Sequence, residues 1–285
     1  MGAQDDVTRV ATFFFAFSMP DAQSSSVLWL LLRGVRKRAS DAHARIVLLH
    51  GWLQAHDCWL QTATALRDKG HDVLLLDFYG HGGTKVPSAA SMSLHHWTML
   101  VAERIKAVGW DDGPQISIVG CSMGAATAAR YAFTHPDRVA KLTLVTPPGL
   151  PEAWFMPCHP VREVAGVITR RFPNASWAHI LRIISTTPEY GMPLAELIQF
   201  AESGRLKLFI YVAEWDIIHT PHLDYWQSAA ERVQQSHAEG MKVVCVPQRT
   251  HWGVCTHLEE LRLHEDASLW HAEPDEDAAR PRARL

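Results

Sequence analysis

The chain has 285 residues, 47% hydrophobic and 20% charged, with Lys+Arg 27 against Asp+Glu 30 and a formal net charge of −3. That length and balance suit one large soluble α/β domain and exclude a disordered chain. With no basic excess, a nucleic-acid binder held by phosphate contacts is excluded as well. Cys58, Cys121, Cys158, Cys245 and Cys255 form no C-x-x-C pair and no metal-ligand spacing, so reduced thiols in a cytoplasmic compartment are expected rather than a disulfide framework.

The first apolar stretch, residues 10–19 (VATFFFAFSM), is shorter than the ~20 residues that span a bilayer. Asp5 and Asp6 before it make a poor signal-peptide n-region, so it reads as an outer strand, with export the lesser alternative. No integral membrane segment is expected. Strand-like and helix-like runs then alternate: strands at 27–33 and 45–50, a helix at 58–69 stopped by Gly70, and a nearly all-apolar strand at 72–77. Leu94, Trp97, Val101, Ile105 and Val108 recur at helical spacing behind Ser91 or Ser93 as cap. A strand at 115–120, a helix at 123–135 and a strand at 139–145 follow.

From Pro147 to about Gly204 the alternation breaks into three helical patches, 161–171, 175–185 and 193–203. It then resumes with a strand at 206–212, a helix at 223–236, a strand at 242–246 and a last helix around 258–265. The pattern predicts an α/β fold with a mostly parallel, doubly wound sheet. The expected organisation is a core over 1–146 and 205–268, a helical cap over 147–204, and a disordered tail over 269–285.

Chemistry concentrates at Gly120-Cys121-Ser122-Met123-Gly124, a G-x-S-x-G between a predicted strand and a predicted helix. A serine on that sharp turn is exposed at the strand's carboxyl end, and flanking side chains have no room there. The helix start beside it favours developing negative charge. Serine needs a base, and His251 lies after the last predicted strand, with His257 and His264 as rivals. The base needs a carboxylate to fix its tautomer. Asp216, after the strand at 206–212, fits the chain order Ser, Asp, His, while Glu214 and Asp224 are alternatives.

These residues resemble the α/β-hydrolase superfamily over roughly 27–263, in the branch with an H-G-x loop (esterase- or lipase-like). His50-Gly51-Trp52 is similar to that loop. Residues 77–84 (DFYGHGGT) resemble the family's D-x-x-G-H-G-x-S turn, with Thr84 where Ser is usual. The resemblance implies an oxyanion hole from the backbone N–H groups of Trp52 and Met123, with His50 bracing the loop. Two departures stand out: Pro221 falls five residues after Asp216 rather than four, and Trp252-Gly253-Val254-Cys255 replaces the usual acid-and-proline run after the base.

Trp154, Phe155 and Trp177 of the cap, with Trp215, Trp52 and His50 beside the centre, are candidates to line a pocket for a lipophilic or aromatic small-molecule ester. Cys121 reads as a small buried apolar side chain. The expected activity is carboxylic-ester hydrolysis by a serine esterase through an acyl-enzyme, with no metal or organic cofactor. Other acyl-type hydrolases on the same triad stand beside it: a C–C bond hydrolase of diketones, a thioesterase or a perhydrolase. A non-catalytic hydrolase-fold binding protein is the remaining alternative; its usual sign, a missing triad member, is not seen.

Overall fold

A strand buried on both faces must be apolar throughout, because successive side chains point to opposite sides of the sheet. The computed structural model describes residues 27–35, 43–86, 93–148, 192–216, 223–237 and 239–270. Among these, seven strands form: β1 (Trp29–Leu32), β2 (Arg45–Leu49), β3 (Asp72–Leu76), β4 (Ile116–Cys121), β5 (Val139–Val145), β6 (Lys207–Ala213) and β7 (Met241–Val246). They make one sheet in the order β1-β3-β2-β4-β5-β6-β7, with β1 antiparallel to β3 and every other pair parallel. The expected mostly parallel sheet is therefore present.

The two faces divide the strand residues by period two. Val47, Leu49, Leu74, Leu76 and Ile118 join one core cluster; Ile46, Leu48, Val73, Leu75 and Val119 join the other. Helices α2 (Leu94–Ala107), α3 (Met123–Thr134), α4 (Leu194–Glu202) and α5 (Leu223–Ser236) contribute to the first cluster. Helices α1 (Leu60–Asp68) and α6 (His251–Thr256), with the 3-10 turns near the C-terminus, contribute to the second. Each fully buried Leu or Val adds roughly 1.5–3 kcal/mol by leaving water. Helix α3 comes close to β4 and β5 because Gly124, Ala125, Ala126, Ala128 and Ala129 are small enough to be buried against them.

Local signals account for several boundaries. Ser93 caps α2, its hydroxyl accepting from the His96 N–H, and Thr250 caps α6 by accepting from the Gly253 N–H at 3.0 Å. One expected element differs. The last helix at 258–265 is a pair of 3-10 turns, Leu258–Leu261 and Leu263–Glu265, separated by Arg262 at φ 46. A left-handed residue ends an α-helix, and the regular helix begins instead at His251. The segment at 10–19, the patches at 161–171 and 175–185, and most of the tail lie outside the described residues. The patch at 193–203 contains α4, whose Leu194, Leu197, Ile198 and Ala201 are part of the first core cluster.

The chain leaves β2 for β3 on one side and later returns to β4 on the other, so the crossovers diverge between β2 and β4. A crevice opens at the carboxyl ends of strands at such a switch point. Residues 50–52 follow β2 and Ser122 follows β4.

Because Ile118 is fully buried in the central strand, Ile118→Ala is expected to cost about 2–5 kcal/mol in urea unfolding. Met99→Ala, at a position 47% exposed on α2, is expected to change stability by less than about 0.5 kcal/mol. Equal losses from the two would mean that the sheet is not the cooperative core.

Candidate active site

Ser122 sits between the last residue of β4 and the first of α3, at φ 50 and ψ −114. Neighbouring backbone leaves no alternative to glycine on either side. A Cβ on Gly120 would lie 2.1 Å from the Gly124 carbonyl oxygen, and one on Gly124 would lie 2.5 Å from the carbonyl oxygens of Leu49 and His50. The Ser122 N–H donates to the Val145 carbonyl at 2.9 Å, which ties the turn to β5.

His251 and Asp216 arrive from distant parts of the chain. The Ser122 Oγ is 2.9 Å from His251 Nε2, and His251 Nδ1 is 2.9 Å from a carboxylate oxygen of the fully buried Asp216. His251 opens α6 rather than sitting on a free loop. The acid turn is pinned to the base segment, since the Trp215 N–H donates to the Arg249 carbonyl at 2.8 Å and the Glu214 N–H to Val246 at 2.9 Å. Burial disfavours the imidazolium, but the hydrogen bond that His251 donates to Asp216 and the neighbouring Cys255 sulfur outweigh it, and the pKa of His251 rises to about 9.

The rival residues are elsewhere. The Glu214 carboxylate accepts from the Gln248 N–H at 2.7 Å, Asp224 is exposed on α5, and His257 is exposed with its ring turned to Gly253 and Thr256. His264 lies beside Glu265, away from Ser122.

The loop after β2 packs on the serine turn: a Cβ on Gly51 would come within 3.4 Å of the Ser122 Cβ. His50 is fully buried beneath it. Its Nδ1–H donates to the Gly51 carbonyl at 2.7 Å while its Nε2 accepts from the Phe78 N–H at 3.1 Å. Burial lowers its pKa to about 4, so the ring stays neutral in this tautomer. In a trans peptide the C=O and N–H point in opposite directions. Holding the Gly51 carbonyl therefore turns the Trp52 N–H the other way. His50 thus braces the loop; with both nitrogens engaged and no exposed surface, it does not line a pocket as was also expected. Met123 is the first residue of α3, where a backbone N–H has no acceptor within the helix.

The 77–84 turn is a second brace. One Asp77 oxygen accepts from the His56 N–H at 2.7 Å and lies 2.9 Å from His56 Nδ1; the other accepts from the Gly83 N–H at 2.9 Å. Thr84, in the place of the usual Ser, accepts from the Leu28 N–H at 2.8 Å, which ties the end of the turn to the start of β1. Trp215 is 55% exposed and Trp52 is half-buried, whereas Trp154, Phe155 and Trp177 lie outside the described residues.

Sequence reasoning missed Gln54, which joins the two halves of the site. Its Oε1 accepts from the Gly51 N–H at 2.8 Å and its Nε2 donates to the Cys255 carbonyl at 2.5 Å. It also missed Cys255 beside His251, and Thr146, whose hydroxyl lies 3.2 Å from the Cys255 sulfur. Nothing in their local sequence marks them, because the contacts join segments far apart in the chain. Among the described residues no group of three or more His, Cys, Asp or Glu is arranged to hold a metal ion.

Comparison with known proteins bears on the fold. Residues 44–176 match the model of the alpha/beta hydrolase fold family. Monoacylglycerol lipase abhd6-A of Xenopus laevis is 25% identical over 219 residues, covering 74% of this chain and 60% of that protein. Epoxide hydrolase A of Mycobacterium tuberculosis is 30% identical over 138 residues, covering 47% and 42%. The chain thus spans at most about 60% of the length of these relatives. The crystal structure of Paleococcus ferrophilus monoacylglycerol lipase superposes with a TM-score of 0.57 at 16% identity, over 84% of this chain and 98% of that one. Residues 44–176, a little under half of the chain, are thus similar in sequence to that family, and the sheet has the α/β-hydrolase fold.

Proposed function

We propose that this hydrolase cleaves carboxylic esters of apolar acyl or alcohol groups by a serine acyl-enzyme mechanism. The observation that carries the reading is the hydrogen-bonded line from Ser122 Oγ through His251 to Asp216, with both links at 2.9 Å. Ser122 attacks the ester carbonyl as His251 Nε2 takes its proton. The Asp216 carboxylate holds the Nδ1–H tautomer and stabilises the imidazolium that forms. The N–H groups of Trp52 and Met123 receive the tetrahedral oxyanion, a contribution of order 3 kcal/mol per donor. His251 then protonates the leaving alcohol, and a water activated by the same imidazole releases the acyl group.

Serine at the turn separates this reading from the epoxide hydrolase relative by the chemistry each bond demands. Opening an epoxide at an sp³ carbon through an ester intermediate takes a carboxylate nucleophile, which Ser122 does not provide. Large apolar side chains adjoin each part of the site: Leu53 next to Trp52, Trp215 next to Asp216 and Trp252 next to His251, all more than half exposed. They support an apolar substrate over a charged one. Two of the similar proteins are monoacylglycerol lipases, which agrees with an ester of this kind.

With p-nitrophenyl esters from C2 to C12, wild type is expected to turn over and Ser122→Ala to lose at least ~10³-fold in kcat/KM. Turnover by Ser122→Ala near the wild-type rate would remove Ser122 from the mechanism. Labelling of Ser122 by a fluorophosphonate without turnover of any ester would point instead to a thioester or C–C bond substrate.

The pH dependence follows from His251. Its pKa is raised above the usual 6.5, and only the neutral ring serves as base. The acidic limb of kcat/KM is therefore expected to be displaced upward from 6.5 toward 9, so activity climbs through neutral pH. Asp216→Asn removes a principal cause of the rise, so that limb moves down while kcat falls by about 10⁴-fold. A limb that stays in place in Asp216→Asn would exclude the Asp216–His251 pairing.

A further inference from the structure

Cys121, Cys255 and Thr146 form a buried cluster beside the triad that the acyl-transfer steps do not use. The Cys121 thiol donates to the Cys255 sulfur with the two Sγ atoms 3.1 Å apart, and the Thr146 hydroxyl lies 3.2 Å from the same Cys255 sulfur. Their places in the fold matter more than the contact. Cys121 is the last residue of β4 and is followed directly by Ser122. Cys255 is one helical turn after His251 on the six-residue α6, on the same side of the helix. The two sulfurs therefore meet where the nucleophile turn touches the helix that carries the base.

We propose that Cys121 and Cys255 are a modification site for hydroperoxides, oxidised as a pair to a disulfide that ties β4 to α6 and disarms Ser122. The site itself stands apart from the ester-hydrolase reading; its effect on Ser122 rests on that reading. Cys255 reacts first. The thiol donated by Cys121, against the cost of burial, and the adjacent His251 imidazole hold the Cys255 thiol below its ordinary pKa, whereas burial pushes the Cys121 thiol up. The Cys255 sulfur attacks the peroxide O–O bond, forming a sulfenic acid and releasing an alcohol, or water from hydrogen peroxide. The Cys121 sulfur then displaces that hydroxyl as water and forms the S–S bond. Two thiols and one hydroperoxide thus give one disulfide, one alcohol and one water, the sulfurs supplying the two electrons.

A disulfide requires a sulfur separation of about 2.05 Å, so the sulfurs must approach by about 1 Å. Cys121 lies within a strand paired on both sides, whereas α6 has six residues. The helix takes up the movement and carries His251 with it. A misplacement of about 1 Å in a reacting group costs up to ~10²-fold in rate.

The test treats the full chain with hydrogen peroxide, then combines non-reducing peptide mapping with the rate of Ser122 labelling by a fluorophosphonate. A Cys121–Cys255 cross-linked peptide is expected, with labelling slowed at least about tenfold and restored by dithiothreitol. Compared with its own untreated state, Cys255→Ala is expected to show no dithiothreitol-reversible loss, and Cys121→Ala no cross-linked peptide. Free, alkylatable Cys121 and Cys255 after treatment overturn the proposal, as does a cross-link that leaves labelling unchanged. Should neither variant fold by circular dichroism, the wild-type map and its reversal decide. An unlabelled Ser122 before treatment overturns the functional reading, while the map still decides for or against the disulfide.

Discussion

Ser122 is held at φ 50 and ψ −114, in a region that costs a non-glycine residue of order 1–3 kcal/mol. The turn persists because everything around it is fixed. The residue before it ends the strand between β2 and β5, the residue after it opens a helix buried against the sheet, and both flanking glycines are packed against backbone that tolerates no Cβ. Since the conformation is imposed by the core, the direction of the hydroxyl is set by the fold alone. The composition of α3, rich in Ala with Gly124 in its first turn, follows from the same demand, because a helix with larger side chains could not approach β4 closely enough to hold the turn.

The loop after β2 solves a different problem, that of fixing which way the Trp52 N–H points. A peptide plane has one rotational choice, and the His50 Nδ1–H makes it by holding the Gly51 carbonyl. A protonated His50 would lose the acceptor for the Phe78 N–H, so burial of the ring, which keeps it neutral, is part of the geometry. Gln54 extends the same logic across the site, linking the Gly51 N–H to the Cys255 carbonyl in one side chain. The two regions that would receive the oxyanion and the proton are thereby held in a common frame.

Much of this was legible in the sequence because it is written in local patterns. Period-two and all-apolar runs marked every strand of the sheet to within two residues, and Leu223–Ser236 matched its helix in full. The 120–124 motif named Ser122 because the backbone strain it relieves is local. His251 and Asp216 were readable from chain order together with the family resemblance. The helix around His251 was not, since Thr250 caps a stretch of Trp, Gly, Val and Cys with little helical preference, and contacts of Val254 and Cys255 with the second core cluster stabilise it. Gln54, Thr146 and the sulfur contact were illegible for a stronger reason. Each joins segments separated by 109 to 201 residues, and no local spacing encodes such a meeting.

The three members of the site also differ in how firmly the fold holds them. Ser122 is fixed by the central strands, and Asp216 by a turn hydrogen-bonded to β6 and to the Arg249 carbonyl. His251 depends on the Thr250 cap, the Gln54 bond to the Cys255 carbonyl, and the burial of Val254 and Cys255. A cap is worth about 1 kcal/mol and a single neutral hydrogen bond about the same. These are small beside the core, so losing one displaces the imidazole long before it unfolds the sheet. A serine hydroxyl needs its base within hydrogen-bonding reach, and a rate falls steeply with small errors in that placement. Stability and the geometry of the proposed triad are therefore governed by different parts of this molecule, the first by the apolar strands and the second by a few polar contacts around a six-residue helix.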